Sequence, residues 1–179
     1  MRKSFNALFK RYYQYRYRRL EQMAEEPWQL QEEWLRSLIA DAKHTVWGKA
    51  HDYASIRTYQ DFCRQVPLQD YERLKPYILR MMEGEADVLW PGQTLRFSKS
   101  SGTTSDRSKF IPVSDQNFRN CHIQGTWDTM TAYYHEHPDS LIFAGKNFIM
   151  GGSYQQYKPE LPTIFGDVSA LMIKNMPIV

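Results

Sequence analysis

Several common sequence signatures are missing from this chain of 179 residues, and each absence excludes a class of protein. Only two cysteines are present, Cys63 and Cys121, and their separation excludes a CxxC redox pair or a metal knuckle. No apolar run approaches the roughly 20 residues of a membrane-spanning helix, and no signal-peptide pattern follows Met1. Internal repeats and low-complexity linkers are also absent. These features favour a cytoplasmic, soluble protein with two reduced thiols, and they mark no internal domain boundary within residues 1–179.

Two widespread nucleotide-binding signatures, GxxxxGK[ST] and GxGxxG next to a strand and helix, are absent as well. What is present is a hydroxyl-rich segment, residues 97–114, with the sequence FSKSSGTTSDRSKFIPVS. Its hydroxyl side chains include Ser100, Ser101, Thr103 and Thr104. Gly102 lacks the Cβ that would obstruct an anion at the backbone, and Lys109 adds a positive charge. The segment predicts an oxyanion-binding loop, and the alternative is a solvated Ser/Thr turn.

The first half of the chain predicts helices. A basic amphipathic helix is expected in residues 1–23, which hold seven Lys or Arg and one acid. Its predicted apolar stripe consists of Phe5, Leu8, Phe9, Tyr12, Leu20 and Met23. Pro27 starts a second helix that extends to about Lys43. Ser55 and Thr58 are candidate helix N-caps, and a further helix over residues 71–81 is expected to kink or restart at Pro76.

The second half of the chain predicts a mixture of strands and helices. Residues 94–98 form a strand that enters the hydroxyl loop, and residues 109–113 form its hairpin partner. Residues 118–134 have helical period, and residues 141–150 form a further strand candidate. A last helix, capped by Asp167 or Ser169, stops at Pro177. The fold class is therefore α/β.

The hydroxyl loop and its surroundings resemble one family in particular. SSGTT followed by SDRSKFIPVS resembles the phosphate loop of adenylate-forming enzymes. With the preceding VPLQDYERLKPYILRMMEGEADVLWPG and the following FAGKNFIMGGS, it resembles the auxin-responsive Gretchen-Hagen family of acyl-acid amido synthetases. The resemblance covers most of the chain from about Val46. It implies that residues 1–179 are a single-domain portion, the N-terminal part of the large ATP-binding domain, helical first and then a mixed sheet with helices.

The resemblance also implies a reaction and a set of ligands. Such enzymes use ATP and Mg²⁺ to convert a carboxylic acid into an acyl-adenylate, and then pass the acyl group to an amino acid. A thiol acceptor in place of the amine stays open. By motif position, the resemblance implies that Ser100, Ser101, Gly102, Thr103 and Thr104 hold the β- and γ-phosphates and that Lys109 is the ATP-binding lysine of the loop. The motif names no catalytic side chain and no metal ligand. The family's adenine, ribose and metal contacts have no counterpart here, so the chain alone is expected to be inactive.

Other sequence features offer weaker candidates. The basic, tyrosine-rich residues 1–23 fit either a packing helix or an RNA- or membrane-binding arm. The alternative function is a non-catalytic nucleotide- or RNA-binding or interaction module that uses this arm. With the ligase interpretation, neither nucleic acid nor membrane is an expected partner. His135 and His137 have poor spacing for a metal, and adjacent Cys121 and His122 cannot form a nucleophilic pair.

Three further groups have a structural and a functional interpretation each. Glu83, Glu85 and Asp87 surround a glycine and fit a solvated turn better than a catalytic carboxylate pair. The Gly151-Gly152-Ser153 segment fits either a structural turn or a close approach to a ligand or a strand. The aromatic residues Phe118, Trp127, Tyr133 and Tyr134 fit core packing or an acyl pocket.

Overall fold

The computed structural model describes residues 2–100, 108–142 and 148–175. The helices are α1 (Arg2–Glu25), α2 (Pro27–Ala42), α3 (Val46–Ala50), α4 (Tyr59–Gln65), α5 (Tyr71–Met82), α6 (Asp115–Asn117), α7 (Gln124–Glu136) and α8 (Val168–Asn175), with a 3-10 turn at Tyr53–Ser55 and a π-helical segment at Phe118–Ile123. The strands are β1 (Arg96–Lys99), β2 (Phe110–Pro112), β3 (Tyr154–Gln156) and β4 (Ile164–Gly166). A helical first half followed by a mixed sheet with helices confirms the predicted α/β class. Within these ranges, no helix combines the length and apolar character that a membrane span requires.

The chain is organised as two compact units, each built from separate stretches of sequence. One comprises Met1–Leu30 and Gln116–Met150, and the other comprises Gln31–Asp115 and Gly151–Val179. Because each unit is discontinuous, no single linker or change of composition marks it in the sequence. The assignment of residues 1–179 to one portion of a large ATP-binding domain stays a prediction.

The buried side of helix α1 agrees only in part with the stripe that the sequence predicted. Asn6 and Tyr13 are buried, whereas Leu8 and Tyr12 are 66% and 45% exposed. Positions seven apart share one helical face, so Asn6 and Tyr13 define the packed side. The prediction is wrong for Leu8 and Tyr12, because apolar and aromatic residues occur on more than one face of this helix, whereas Phe9, Leu20 and Met23 are half-buried. Asn6 tolerates burial because its Oδ1 accepts a hydrogen bond from the Tyr134 hydroxyl at 3.0 Å.

Aromatic stacking holds α1 against α7. The Tyr13 ring stacks on Tyr134 with centroids 5.2 Å apart and 7° between the planes, and Trp127 lies 5.8 Å from Tyr13. Burial, followed by the proximity of Tyr134, raises the pKa of Tyr13 to about 12. At the edge of this contact, Arg16 forms an ion pair with Asp128 at 2.6 Å. Trp127 and Tyr134 therefore belong to the packing of this unit, as the core interpretation predicted.

The second unit has its own apolar core beneath the sheet. The core cluster consists of Ile78, Met81, Met82, Val88 and Phe97. Three of these residues lie on one face of α5, while Phe97 comes from β1 and is fully buried. Helix α5 continues through Pro76, where a kink or restart was predicted. We attribute this continuity to the packing of its buried face, which outweighs the one backbone hydrogen bond that proline removes.

The sheet has the strand order β2-β1-β4-β3. Strands β1 and β2 form the predicted antiparallel hairpin, with Lys99 opposite Phe110, and β1 pairs with β4 in parallel. The strand predicted at residues 141–150 is wrong for Leu141 and for residues 148–150, which are not in a strand, and residues 143–147 lie outside the described ranges. The chain instead enters the sheet at β3, after the two glycines. Apolar composition without alternation caused this error.

Helix α4 starts with a reciprocal capping box. The Thr58 hydroxyl accepts a hydrogen bond from Asp61 N–H at 3.1 Å, and the Asp61 carboxylate accepts one from Thr58 N–H at 3.0 Å. Thr58 is thus an N-cap, as predicted. Ser55 is not, because it ends the preceding 3-10 turn and donates to the Asp52 carbonyl.

We expect the capping box to appear in the titration of Asp61. The Thr58 side chain, then Arg57 N–H and Arg64, lower the pKa of Asp61 to about 2. Because the folded pKa is below the unfolded value of 3.8, the ionised carboxylate stabilises α4 above that value, and this stabilisation is lost as the pH falls towards 2. Carboxyl ¹³C NMR should give the low midpoint, and Thr58→Ala should raise it while Thr126→Ala leaves it unchanged. A wild-type midpoint at the unfolded value would contradict the assignment.

Candidate functional site

The described ends of the hydroxyl loop meet in a closed neck between β1 and β2. Ser100 N–H donates to the Lys109 carbonyl at 2.9 Å, and the Ser100 hydroxyl accepts a hydrogen bond from Lys109 N–H at 3.0 Å. Ser100 and Lys109, two of the predicted site residues, are therefore brought together. The others, Ser101, Gly102, Thr103 and Thr104, lie outside the described residues, so their role in phosphate binding stays a prediction.

A pocket of about 420 Å³ lies beside this neck. Its lining residues are Lys99, Ser100, Ser108, Ser153, Tyr154, Gln155, Phe165, Gly166 and Asp167. The pocket occupies the carboxyl ends of the parallel strands β1 and β4 and the start of the antiparallel strand β3. In α/β sheets, ligands commonly bind in the crevice at the carboxyl ends of neighbouring parallel strands. Hydroxyl, amide and ammonium groups in one open crevice can bind an anion with both charge and directed hydrogen bonds.

The double-glycine segment forms one wall of this pocket through a tight contact with the start of α8. Gly152 N–H donates to the Ser169 hydroxyl at 3.0 Å, and Ser153 N–H donates to the Asp167 carboxylate at 2.9 Å. A Cβ on Gly152 would lie only 2.1 Å from Asp167 Oδ2. The two side chains that the sequence offered as caps for α8 thus bind this turn. Gly152 is required because backbone and carboxylate approach too closely for any side chain.

Replacing Gly152 with alanine should therefore destabilise the protein and disturb the pocket. Overpacking of this kind costs about 1–3 kcal/mol in the free energy of unfolding. Gly125→Ala is the matched control, because a Cβ there meets no atom within 4 Å and helical alanine gains about 0.5–1 kcal/mol over glycine. Urea denaturation of both variants measures the difference. Equal stabilities would contradict the close approach at Gly152.

The three carboxylates before β1 have structural partners. Glu83 accepts hydrogen bonds from Lys158 Nζ at 2.6 Å and from the Tyr157 hydroxyl at 3.0 Å, which lower the pKa of Glu83. Glu85 pairs with Arg80, and the Asp87 carboxylate accepts a hydrogen bond from a backbone N–H of the same turn. All three side chains are exposed, so the solvated-turn interpretation describes them.

The histidines and cysteines that were considered in the sequence are not among the pocket-lining residues. His135 stacks on Tyr17 with centroids 3.6 Å apart, and His137 packs beside Tyr133. Cys63 and Cys121 are both exposed and form no disulfide. In the part of the chain that the structure describes, no three His, Cys, Asp or Glu side chains are grouped closely enough to hold a metal ion.

Sequence reasoning missed several residues of this site. Gln155, Asp167 and Tyr71 received no ligand-binding role from the sequence. The Tyr71 hydroxyl accepts a hydrogen bond from Phe110 N–H at 2.9 Å, and the Lys109 ammonium lies 5.4 Å from the centre of the Tyr71 ring. The available signal was that Tyr71 lies in the family-like frame that precedes the loop in the sequence, but only the folded chain shows the contact.

The α/β fold, with its hairpin loop beside the carboxyl ends of two parallel strands, defines a candidate anion-binding protein. Residues 16–147 match the GH3 family N-terminal domain. The chain therefore belongs to the GH3 family, which confirms the Gretchen-Hagen resemblance read from the loop and its frame.

Two curated relatives are similar to about half of the chain. A jasmonoyl–L-amino acid synthetase of Nicotiana attenuata is 28% identical over 97 residues, which cover 54% of this chain and 17% of that protein. An indole-3-acetic acid-amido synthetase of Arabidopsis thaliana is 27% identical over 99 residues, which cover 55% of this chain and 18% of the relative. The matched part is thus less than one fifth of either relative.

Solved structures share the fold. The GH3.15 acyl acid amido synthetase superposes with a TM-score of 0.72 at 20% identity, over 87% of this chain and 28% of the other. A complex of the same synthetase with 2,4-DB gives a TM-score of 0.68 at 21% identity, over 82% and 25% of the two chains. These superpositions confirm the α/β fold class.

Proposed function

We propose that this chain is the phosphate-binding part of an ATP-dependent acyl-acid amido synthetase, acting in the cytoplasm on small carboxylic acids and amino acids. The observation that carries the proposal is the neck formed by Ser100 and Lys109, which places the ends of a Ser/Thr/Gly loop beside a polar pocket in a GH3 family chain. The names of the two curated relatives, an L-amino acid synthetase and an acid-amido synthetase, support the same reaction class.

The pocket chemistry fits the polyphosphate of ATP. When a carboxylate attacks the α-phosphorus, pyrophosphate leaves, and the protein must gather and align its charge. Lys99 supplies positive charge in the pocket lining and Lys109 adds a second charge at the neck, while the hydroxyls of Ser100, Ser108 and Ser153 can donate to phosphate oxygens. These residues bind and orient the anion, and we assign the transfer of protons to none of them.

A magnesium ion fits the same set of oxygen donors. Mg²⁺ prefers one or two carboxylates together with the phosphates of the substrate, and it neutralises their charge when bound. Asp167 contributes an exposed carboxylate to the pocket, where one of its oxygens accepts the Ser153 N–H. We propose Asp167 as the protein ligand for the ion. The loop acid Asp106 lies outside the described residues.

The test of the proposed function is exchange of labelled pyrophosphate into ATP. The complete gene product should catalyse this exchange only when a suitable carboxylic acid is present, because the acid must form the adenylate. The 179-residue chain alone should bind ATP without exchange, since it covers under a fifth of each curated relative. A panel of aromatic, aliphatic and jasmonate-like acids is the appropriate set. No exchange with any of these acids would overturn the proposal.

A second candidate, RNA binding by α1, has one observation in its favour. The aromatic residues Tyr12 and Tyr15 are exposed on this helix, and Arg11, Arg18 and Arg19 are exposed beside them. Base stacking together with phosphate neutralisation would then give binding that falls steeply with salt. Fluorescence anisotropy with single-stranded oligouridine between 50 and about 200 mM NaCl distinguishes the two candidates. Tight, salt-sensitive binding lost in Tyr15→Ala would favour the RNA-binding module.

A further inference from the structure

Tyr71 joins the start of helix α5 to the neck of the hydroxyl loop. Its ring packs against the core cluster, and its hydroxyl accepts the Phe110 N–H at 2.9 Å across 39 residues of sequence. The same ring lies 5.4 Å from the Lys109 ammonium. One side chain thus contacts both the backbone that follows Lys109 and the charge that Lys109 carries.

The Tyr71 hydroxyl provides a hydrogen-bond acceptor for an N–H group of the edge strand β2. Strand β2 is the edge strand of the sheet in the described ranges, where its outward-facing N–H groups have no neighbouring strand. Phe110 N–H is bonded to Tyr71 and not to β1. This bond fixes β2 at the residue that immediately follows Lys109, so the strand cannot shift without losing it.

The backbone on the other side of Lys109 is also fixed. Ser100 bonds both the N–H and the carbonyl of Lys109, at 3.0 and 2.9 Å. With Phe110 held by Tyr71, Lys109 is constrained by hydrogen bonds at its own peptide and at the next one. A lysine whose backbone is fixed and whose ammonium rests near an aromatic face loses less conformational freedom on binding an anion.

We infer that Tyr71 is a positioning residue for Lys109 and holds its ammonium ready for the phosphate chain of the nucleotide. The inference rests on the proposed function, because it requires that Lys109 binds an anion. It adds that part of the affinity of the loop comes from a helix residue that need not touch the ligand. Tyr71 acts through Lys109, so its contribution should vanish when the lysine is absent.

A double-mutant cycle tests this inference in the 179-residue chain. Binding of sodium tripolyphosphate and of MgATP is measured by titration calorimetry for the wild type, Tyr71→Leu, Lys109→Ala and the double variant. Tyr71→Leu should weaken binding about 3- to 10-fold in the wild-type background and less than about 2-fold when Lys109 is already alanine. Tyr71→Phe keeps the ring but loses the hydroxyl, so it should weaken binding less than Tyr71→Leu does, and faster amide exchange at Phe110 should report the lost hydrogen bond. Tyr77→Leu removes another tyrosine of α5 that packs against the same core and should leave the affinity unchanged.

The outcomes separate the inference from the proposed function. Equal losses from Tyr71→Leu in both backgrounds, or an equal loss in Tyr77→Leu, would show a general structural role and overturn the inference alone. Unchanged affinity in Tyr71→Leu would do the same. If the wild-type chain binds neither probe, the phosphate-binding function of the loop fails and the inference falls with it.

Discussion

Lys109→Ala should weaken the binding of MgATP or tripolyphosphate by about 10- to 100-fold, the loss expected for one charge-assisted contact to a phosphate. The lysine side chain is exposed, and its described contact is with the Tyr71 ring. Removing it should therefore leave the apolar core intact. Titration calorimetry measures the affinity, and thermal unfolding checks that the variant remains folded.

The matched control for this prediction is Lys43→Ala. Lys43 is exposed beyond the end of α2, in the same compact unit, and its loss changes the net charge by the same amount. If binding depended only on long-range attraction between a basic protein and an anion, both variants would weaken binding by the same factor. High salt would then remove the difference between each variant and the wild type. A specific contact predicts a loss in Lys109→Ala alone. Equal losses would remove Lys109 from the site.

The local part of this architecture follows from the sequence. Pro27 at the first position of α2 and the Thr58 cap of α4 are short-range signals, so the helix break and one helix start were predictable. The β1–β2 hairpin follows from two strand-like runs that flank a glycine-containing loop. The GH3 assignment depends on the loop and its flanking frame, and the match over residues 16–147 confirms it.

The contacts that complete the site have no local signal. Phe97 on β1 is the register partner of Phe165 on the parallel strand β4. This pairing depends on the path of the chain between the two strands. The bond between Tyr71 and Phe110 likewise joins residues 39 apart. Local sequence also does not identify the packed face of helix α1, because its apolar residues do not reveal which face α7 covers. Packing against α7 determines which face of α1 is buried. The burial of the hydrogen-bonded Asn6 shows that apolar residues alone do not define this face.

Phe97→Ala should produce the largest loss of stability among the substitutions considered, about 3–5 kcal/mol in the free energy of unfolding. Phe97 is fully buried between α5 and the sheet, in the core cluster, and it lies on β1 two residues before the last residue of that strand. A cavity there removes the packing that supports the neck of the hydroxyl loop. We therefore expect weaker tripolyphosphate binding as well as easier unfolding by urea.

Ile111→Ala on β2 provides the comparison for Phe97→Ala. Ile111 belongs to the same hairpin, but its side chain is 47% exposed, so its truncation should cost less than about 1 kcal/mol. Urea denaturation of both variants, with wild-type protein in parallel, gives the two free energies. A loss in Ile111→Ala as large as that in Phe97→Ala would mean that the hairpin is buried on the opposite face. In that case the pocket at the carboxyl ends of β1 and β4 could not have the arrangement from which nucleotide binding is proposed.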